Sequence, residues 1–257
     1  MKNILKILIS HLRYLIKQIY YILKASKKTD NSLIFKIILC IKFLYCAGIK
    51  NLICKKFYKK EKLSYENLMK SQLVLSNDWF SNNITNWISV FSSEKINSKN
   101  INILEIGSYE GASAFFFLDY LKASNLQCVE TFEGSDEHKN INFDKIKKNF
   151  FNNTLIFKER LKVFEGTSDN FFQQNKQFFD LIYIDGSHEF LNVYKDACNS
   201  FNFLNQNGII IFDDFLKKYY KDLKKDPIIA ILNFIFKHKK NIKILNVGYQ
   251  IIIKKIN

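Results

Sequence analysis

Ile101-Asn102-Ile103-Leu104-Glu105-Ile106-Gly107-Ser108-Tyr109-Glu110-Gly111-Ala112-Ser113 is the stretch that decides the fold. A short apolar run rich in isoleucine meets an acidic residue, two glycines follow four residues apart, and a helical pattern then begins through Phe117, Leu118 and Leu121. This is the pattern of a strand, a tight turn and a helix whose N-terminus faces a ligand. Glycine has no Cβ, so backbone N–H groups at such a turn can come close to what they bind.

From this stretch to the C-terminus the pattern alternates. Strands are predicted at Ile101–Ile106, Gln127–Phe132, Leu161–Glu165, Asp180–Ile184, Gly208–Phe212, Ile242–Val247 and Gln250–Lys255. Helices fill the gaps at Ala112–Ala123, Asp144–Phe151, Asp169–Asn175, Glu189–Leu204 and Asp226–Lys237. Repeated strand–helix units argue a doubly wound parallel sheet. Only Gly248 and Tyr249 separate the last two strands, too few residues for a crossover, so these two must pair antiparallel. The expected fold is α/β, a Rossmann-like, seven-stranded, mostly parallel sheet ending in a C-terminal antiparallel hairpin, with an N-terminal helical extension.

In an open α/β sheet the ligand sits outside the carboxyl ends of the strands. Standing there are Glu105-Ile106-Gly107, Glu130, Thr167 and Ser168, Asp185-Gly186-Ser187-His188, and Asp213-Asp214. A pyrophosphate fingerprint needs G-x-G-x-x-G, but position 109 is Tyr, and the Glu105 carboxylate beside the turn repels phosphate. The same charge suits an amino group. Glu130, 19 residues after Gly111, is placed to accept hydrogen bonds from two ribose hydroxyls. An adenosine ligand carrying an ammonium and a sulfonium fits this pattern, and S-adenosylmethionine is such a ligand.

Leu104 to Ser113, Tyr183-Ile184-Asp185-Gly186-Ser187-His188 and Ile211-Phe212-Asp213-Asp214-Phe215 together resemble the class I S-adenosylmethionine-dependent methyltransferases. Within them the chain is most similar to the branch of macrolide and other natural-product sugar O-methyltransferases, related to the catechol O-methyltransferases. The resemblance runs from about residue 77 to the end. It implies that Glu105, Gly107, Ser108, Gly111, Ser113, Glu130, Thr167, Ser168 and Asp185 hold the cofactor. It also implies a divalent metal such as Mg²⁺ on Asp185, Asp213 and Asp214, since a hard cation takes carboxylate oxygens. His188 falls where these relatives place the base that takes the acceptor's proton, and His138 is a second candidate.

The net charge of +15 is unevenly spread: residues 1–62 hold 15 basic and 2 acidic residues, a net +13. Polar positions Lys2, Lys6, Ser10, Arg13, Lys17 and Lys24 lie opposite Leu5, Leu8, Leu12, Leu15, Ile19 and Ile22, as in a basic amphipathic helix at an anionic membrane surface. The competing expectation is a helix that packs its apolar face on the protein's own core. A second apolar run, Leu33 to Cys54, is interrupted by Lys36, Lys42 and Lys50, so a peripheral helical hairpin is expected instead of a membrane span. Lys55 to Lys62 reads as a solvated linker or a headgroup-facing patch. Residues 63–98, with Trp79, Phe80, Trp87 and Phe91, form a helical cap or lid, and 99–257 the cofactor-binding domain. Five cysteines without a C-x-x-C pair read as free thiols, and the lysines in the first apolar stretch argue against a secretory signal. The expected location is cytoplasmic, peripheral on the inner face of the membrane.

The resemblance implies methyl transfer to a hydroxyl of a sugar, glycan or small molecule. A nucleic-acid methyltransferase is the rival, but the positive charge lies outside the domain, and strand four ends in Ile-Asp-Gly-Ser-His and not in an Asn/Asp-Pro-Pro-Tyr motif. A cofactor-binding but inactive assembly partner is the other alternative, and the intact set of Asp185, His188, Asp213 and Asp214 speaks against it.

Overall fold

The computed structural model describes residues 2–29, 32–134 and 141–256. Its sheet is built from β1 (Asn102–Ile106), β2 (Asn125–Glu130), β3 (Leu161–Glu165), β4 (Phe179–Ile184), β5 (Leu204–Phe212), β6 (Ile242–Val247) and β7 (Ile251–Lys255). The strand order is β3-β2-β1-β4-β5-β7-β6. The first five pair parallel, and β7 runs antiparallel between β5 and β6. β1 lies beside both β2 and β4, so the strand order reverses there and opens a crevice at the carboxyl ends.

Ile103 and Leu104 of β1, and Ile209 to Phe212 of β5, are buried on both faces of the sheet, which is why these strands are near-continuous apolar runs. One face carries α5 (Ile84–Ser93) and α6 (Ala112–Tyr120), whose Trp87, Phe91, Phe115, Phe116 and Phe117 form an aromatic core. α7 (Phe143–Thr154) packs beside α6. The other face carries α8 (Ser168–Gln174), α9 (Phe190–Asn202) and α10 (Pro227–Lys237). Pro227 opens α10 at a position where its missing N–H costs nothing.

The N-terminal extension starts on this second face and passes the β6 edge to reach α5 on the first. α1 (Lys2–Ser26) buries Leu15, Ile22 and Ala25 in the same core as α10, and Tyr21 donates a 3.1 Å hydrogen bond to Asp226. The amphipathic reading of α1 holds, and its inner face is committed to protein. Leu33–Phe57 is one continuous helical rod: α2 (Leu33–Phe43), a π-helical segment (Leu44–Lys50) and α3 (Asn51–Phe57). Its lysines do not break it, and by length and composition alone it could cross a membrane. Its inner face, with Leu39, Phe43, Cys46, Ala47 and Cys54, is nevertheless buried against the protein. The segment Lys55 to Lys62 is not the expected linker: α3 runs to Phe57 and α4 (Lys59–Gln72) starts two residues later, crossing the expected boundary at 62/63. Lysines form helix readily, and their stems pack while their charges stay in water. All five cysteines are free.

Candidate active site

A cavity of about 1050 Å³ opens at the carboxyl ends of the strands. Its floor is the β1–α6 loop. Gly107 has φ +84°, and a Cβ there would lie 2.2 Å from the Asp185 carbonyl oxygen, so glycine is required by the close approach of β4's end. Gly111 also takes a left-handed φ, +82°, but a Cβ there would meet Thr154 and Phe150 of α7. Its role is to seat the loop on α7, away from the cavity.

Glu105 corrects the expectation that its carboxylate meets the ligand's amino group. It is fully buried under the loop and does not line the cavity. Ser108 Oγ donates to it at 2.7 Å, Cys128 Sγ at 3.2 Å, and Ser113 Oγ donates to its other oxygen. Loss of solvent pushes its pKa up to about 7, against those hydrogen bonds. Glu105 is the loop's buttress. Glu130, at the end of β2, does face the cavity. It accepts the backbone N–H groups of Ser108 (2.8 Å) and Tyr109 (2.9 Å) on one oxygen, and Phe132's (3.1 Å) on the other. Ser108, Ser113, Thr167 and Ser168 also border the cavity. Thr167 Oγ1 caps α8, while Ser168 donates to Asp196. Burial raises Asp196's pKa to about 6.

The opposite end of the cavity is acidic. Asp185 follows β4, and Asp213 and Asp214 follow β5. The group that converges is Asp185, His188 and Asp214, whose ligand atoms lie within 4.8 Å of one another. This corrects the expected trio of aspartates. Asp213 lies at the cavity, but its carboxylate is engaged by Tyr183 Oη, Gln250 Nε2 at 3.0 Å and the Asp214 N–H at 2.6 Å. Burial, and then the neighbouring Asp185 and Asp214 charges, hold its pKa far above the carboxylate range. His188 takes its place.

His188 Nε2 lies 2.9 Å from Asp214 Oδ2 and 3.9 Å from Asp185 Oδ1, and its ring stacks on Tyr219 with centroids 4.0 Å apart. Burial alone would lower its pKa, but the two carboxylates win and lift it to about 10. Burial would raise Asp214 too, yet His188 and the hydroxyls of Tyr219 and Tyr249 keep it below its ordinary value. Loss of solvent raises Asp185. Asp214 has φ +53°, a left-handed conformation unusual for a residue with a side chain, which is held by these contacts. His138 lies outside the described residues.

The third wall comes from the cap. Glu110 accepts Ser76's N–H (2.6 Å) and hydroxyl (2.9 Å), and Asn149's amide at 2.8 Å, which ties the segment before α5 to the loop. Trp79 stacks obliquely on Tyr109, ring centroids 5.0 Å apart, at the cavity's edge. Sequence reasoning missed the pairing of Tyr109, Tyr219, Tyr249 and Gln250 with these groups. Only the placement of Tyr109 inside the glycine turn and of Tyr249 in the last hairpin was a signal.

A sheet of order 3-2-1-4-5-7-6 with its antiparallel β7, a glycine turn after β1 and an acid at the end of β2 is the arrangement of the class I S-adenosylmethionine-dependent methyltransferase fold. Residues 104–215 match a family described as a methyltransferase domain. A Staphylococcus aureus structure described as a caffeoyl-CoA O-methyltransferase superposes with TM-score 0.55 at 14% identity, covering 82% of this chain and 100% of that one. A Bacillus cereus O-methyltransferase in complex with SAH gives 0.51 at 16% identity, over 76% and 90%. MycE, from the mycinamycin biosynthetic pathway, in complex with Mg, SAH and mycinamycin VI, gives 0.55 at 13% identity, over 75% of this chain and 54% of that one. These likenesses show the fold. An uncharacterized protein of Acanthamoeba polyphaga mimivirus is 24% identical over 127 residues, 49% of this chain and 55% of that protein. The chain thus spans about half of the curated relative it matches.

Proposed function

We propose that the chain transfers a methyl group from S-adenosylmethionine to a hydroxyl oxygen of a small-molecule or glycan acceptor, with a divalent cation such as Mg²⁺ held by Asp185 and Asp214 and with His188 beside it as the base. The observation that carries this reading is the convergence of two carboxylates and an imidazole at the ends of β4 and β5, in the cavity floored by the glycine turn. The donor set fits the ion. Asp185 and Asp214 now share the positive charge of a protonated His188, and a cation supplies that charge in the same place. The O-methyltransferases among the structural neighbours, one of them with Mg and a macrolide, support the same chemistry.

The sulfonium supplies an activated methyl group, and a bound divalent ion supplies Lewis acidity to an acceptor oxygen. The chain's own work is alignment and proton handling. Glu130 and the Ser108–Tyr109 backbone shape the ribose side, and Trp79 and Tyr109 stand together at the cavity's edge. Transfer would join the acceptor oxygen to the methyl carbon with the C–S electron pair left on sulfur, and the hydroxyl proton would have to leave. His188, once its own proton has gone, is placed to take that proton at Nε2. Alignment is the larger part of such catalysis, because the reacting atoms need little covalent help.

Calorimetry with S-adenosylmethionine, with and without Mg²⁺, is the direct test. Cofactor binding together with methyl transfer that chelator abolishes and Mg²⁺ restores supports the reading. A chain that does not bind the cofactor sinks all of it, and transfer indifferent to chelator removes the metal.

A further inference from the structure

The N-terminal helices carry two features that the methyltransferase reading leaves unused. The first is an apolar outer surface. On α1 every residue from Leu5 to Ser10 is exposed, with Ile7 68% accessible. Along α2 and α3 the exposed positions Ile34, Ile37, Ile41, Tyr45, Ile49 and Ile53 recur every three or four residues and form one stripe down the whole rod. An apolar surface this continuous marks an interaction site on a protein that is otherwise well packed. The second feature is the inner side of the same helices. His11, Tyr14, Asn51 and Lys55 line the cavity, and His11 Nε2 and Asn51 Oδ1 are buried there without a hydrogen-bond partner among the described residues.

Charge identifies the occupant of the outer surface. Lys6, Arg13, Lys17, Lys24, Lys27 and Lys28 are exposed beside the apolar positions, and Asp30 is the sole acidic residue in the first 57. A second copy of the chain would bring two strongly basic faces together, whereas an anionic bilayer offers acyl chains to the isoleucines and phosphates to the lysines.

We propose that α1 to α3 seat the enzyme on an anionic lipid bilayer, and that its acceptor is a hydroxyl on the headgroup of a membrane lipid, received by His11, Asn51 and Lys55. This rests on the methyltransferase reading above. The two buried, unpartnered polar atoms are the complement of a hydroxylated headgroup, and Lys55 suits a phosphate or carboxylate on it. Because one hairpin holds both the bilayer face and the cavity wall, the headgroup reaches the cavity without its tails leaving the membrane. The acceptor gains the methyl group and loses one proton, and the cofactor leaves as S-adenosylhomocysteine.

Flotation of the full chain with phosphatidylcholine vesicles containing about 30 mol% phosphatidylglycerol, against phosphatidylcholine alone, tests the seat. The chain floats with the anionic vesicles at least about tenfold better, and the double variant Ile37→Glu, Ile41→Glu loses this while binding S-adenosylmethionine as before. Methyl-labelled cofactor and a total lipid extract test the acceptor: label enters the organic phase, and His11→Ala with Asn51→Ala raises KM for that acceptor without moving cofactor affinity. Equal partition into both vesicles, label confined to water-soluble glycans or absent from the lipid phase, or a vesicle-free dimer that the Glu variant splits, each overturns the proposal. Failure of the unaltered chain to bind cofactor overturns the methyltransferase reading instead.

Discussion

Trp87 Nε1 donates a 2.6 Å hydrogen bond to Gln250 Oε1, 163 residues away in sequence, and the amide nitrogen of Gln250 in turn donates to Asp213 at 3.0 Å. The cap helix α5 is thereby joined to the last hairpin and to the acidic end of the site through buried groups. Trp87 is fully buried and packs edge-on against Tyr183, whose hydroxyl also reaches Asp213. Trp87→Phe keeps most of the apolar contact but leaves the Gln250 carbonyl unpaired. An unsatisfied buried polar group costs about 1–3 kcal/mol. The expected outcome is an unfolding free energy lower by that amount, read from a lower urea midpoint at an unchanged denaturant slope, and a changed slope would show that the cap had come loose.

Gly107 and Gly111 should respond differently to alanine. At Gly107 the new Cβ would meet the backbone of Asp185, which no rotamer change relieves, while at Gly111 it would meet the side chains of Thr154 at 3.0 Å and Phe150 at 3.1 Å. Both also pay about 1–2 kcal/mol for a left-handed backbone. Gly107→Ala is expected to lose cofactor binding and a large part of the stability. Gly111→Ala should fold with a loss of about 2 kcal/mol and bind cofactor as the unaltered chain does. Thermal unfolding and calorimetry on the pair measure the difference, and equal losses would contradict the close approach at Gly107.

Glu105 makes stability fall across the weakly acidic range. Folding raises its pKa from 4.5 to about 7 through loss of solvent, so the folded chain keeps a proton that the unfolded chain releases. That preference is fully present below pH 4.5 and is lost as pH climbs to about 7. The change is on the order of 3 kcal/mol, the size of a shift between two and three units. Glu105→Gln keeps the hydroxyl contacts of Ser108 and Ser113 without the charge, and should flatten this part of the stability-against-pH curve. Urea unfolding at pH 4.5, 6 and 7.5 reads the slope.

The mostly parallel sheet, the antiparallel close and the position of the candidate site were legible because each rests on local sequence. Apolar strand runs end at Glu105, Glu130, Asp185 and Asp213, and two residues between β6 and β7 permit only a hairpin. What was not legible depends on where side chains turn after the backbone is placed. Glu105 looked like a ligand to the cofactor because it borders the glycine turn, but the strand's alternation points it under the loop, where Ser108, Ser113 and Cys128 take it. Asp213 and Asp214 are equivalent in sequence. The left-handed backbone at Asp214 and the capture of Asp213 by Tyr183 and Gln250 separate them, and both are long-range effects. At the N-terminus the amphipathic pattern predicted a helix but not how its faces divide between protein and surroundings. Leu15 and Ile22 are buried while Leu5, Leu8 and Leu12 on the same helix are exposed, because the domain surface ends before the helix does.

His188 and Asp214 give the sharpest test of the chemistry. The imidazole is held between Asp214 and Asp185 and against the Tyr219 ring, so its removal leaves the fold's large apolar clusters untouched. His188→Ala is expected to lower methyl transfer by about 10²- to 10⁴-fold, the usual worth of a positioned acid or base. Cofactor affinity should stay within about twofold, since the glycine turn and Glu130 lie at the other end of the cavity. Asp214→Asn should lose activity at least as severely, and should also weaken Mg²⁺ binding, because it removes a charge from the group proposed to hold the ion. Tyr219→Phe keeps the ring against His188 and removes the hydroxyl that reaches both Asp214 and His188 Nε2, the latter at 3.1 Å, so its rate should fall between those of the unaltered chain and His188→Ala. Single-turnover methyl transfer at saturating cofactor ranks the three variants. A His188→Ala protein as fast as the unaltered chain would remove the imidazole from the mechanism and leave the carboxylates alone at the reacting oxygen.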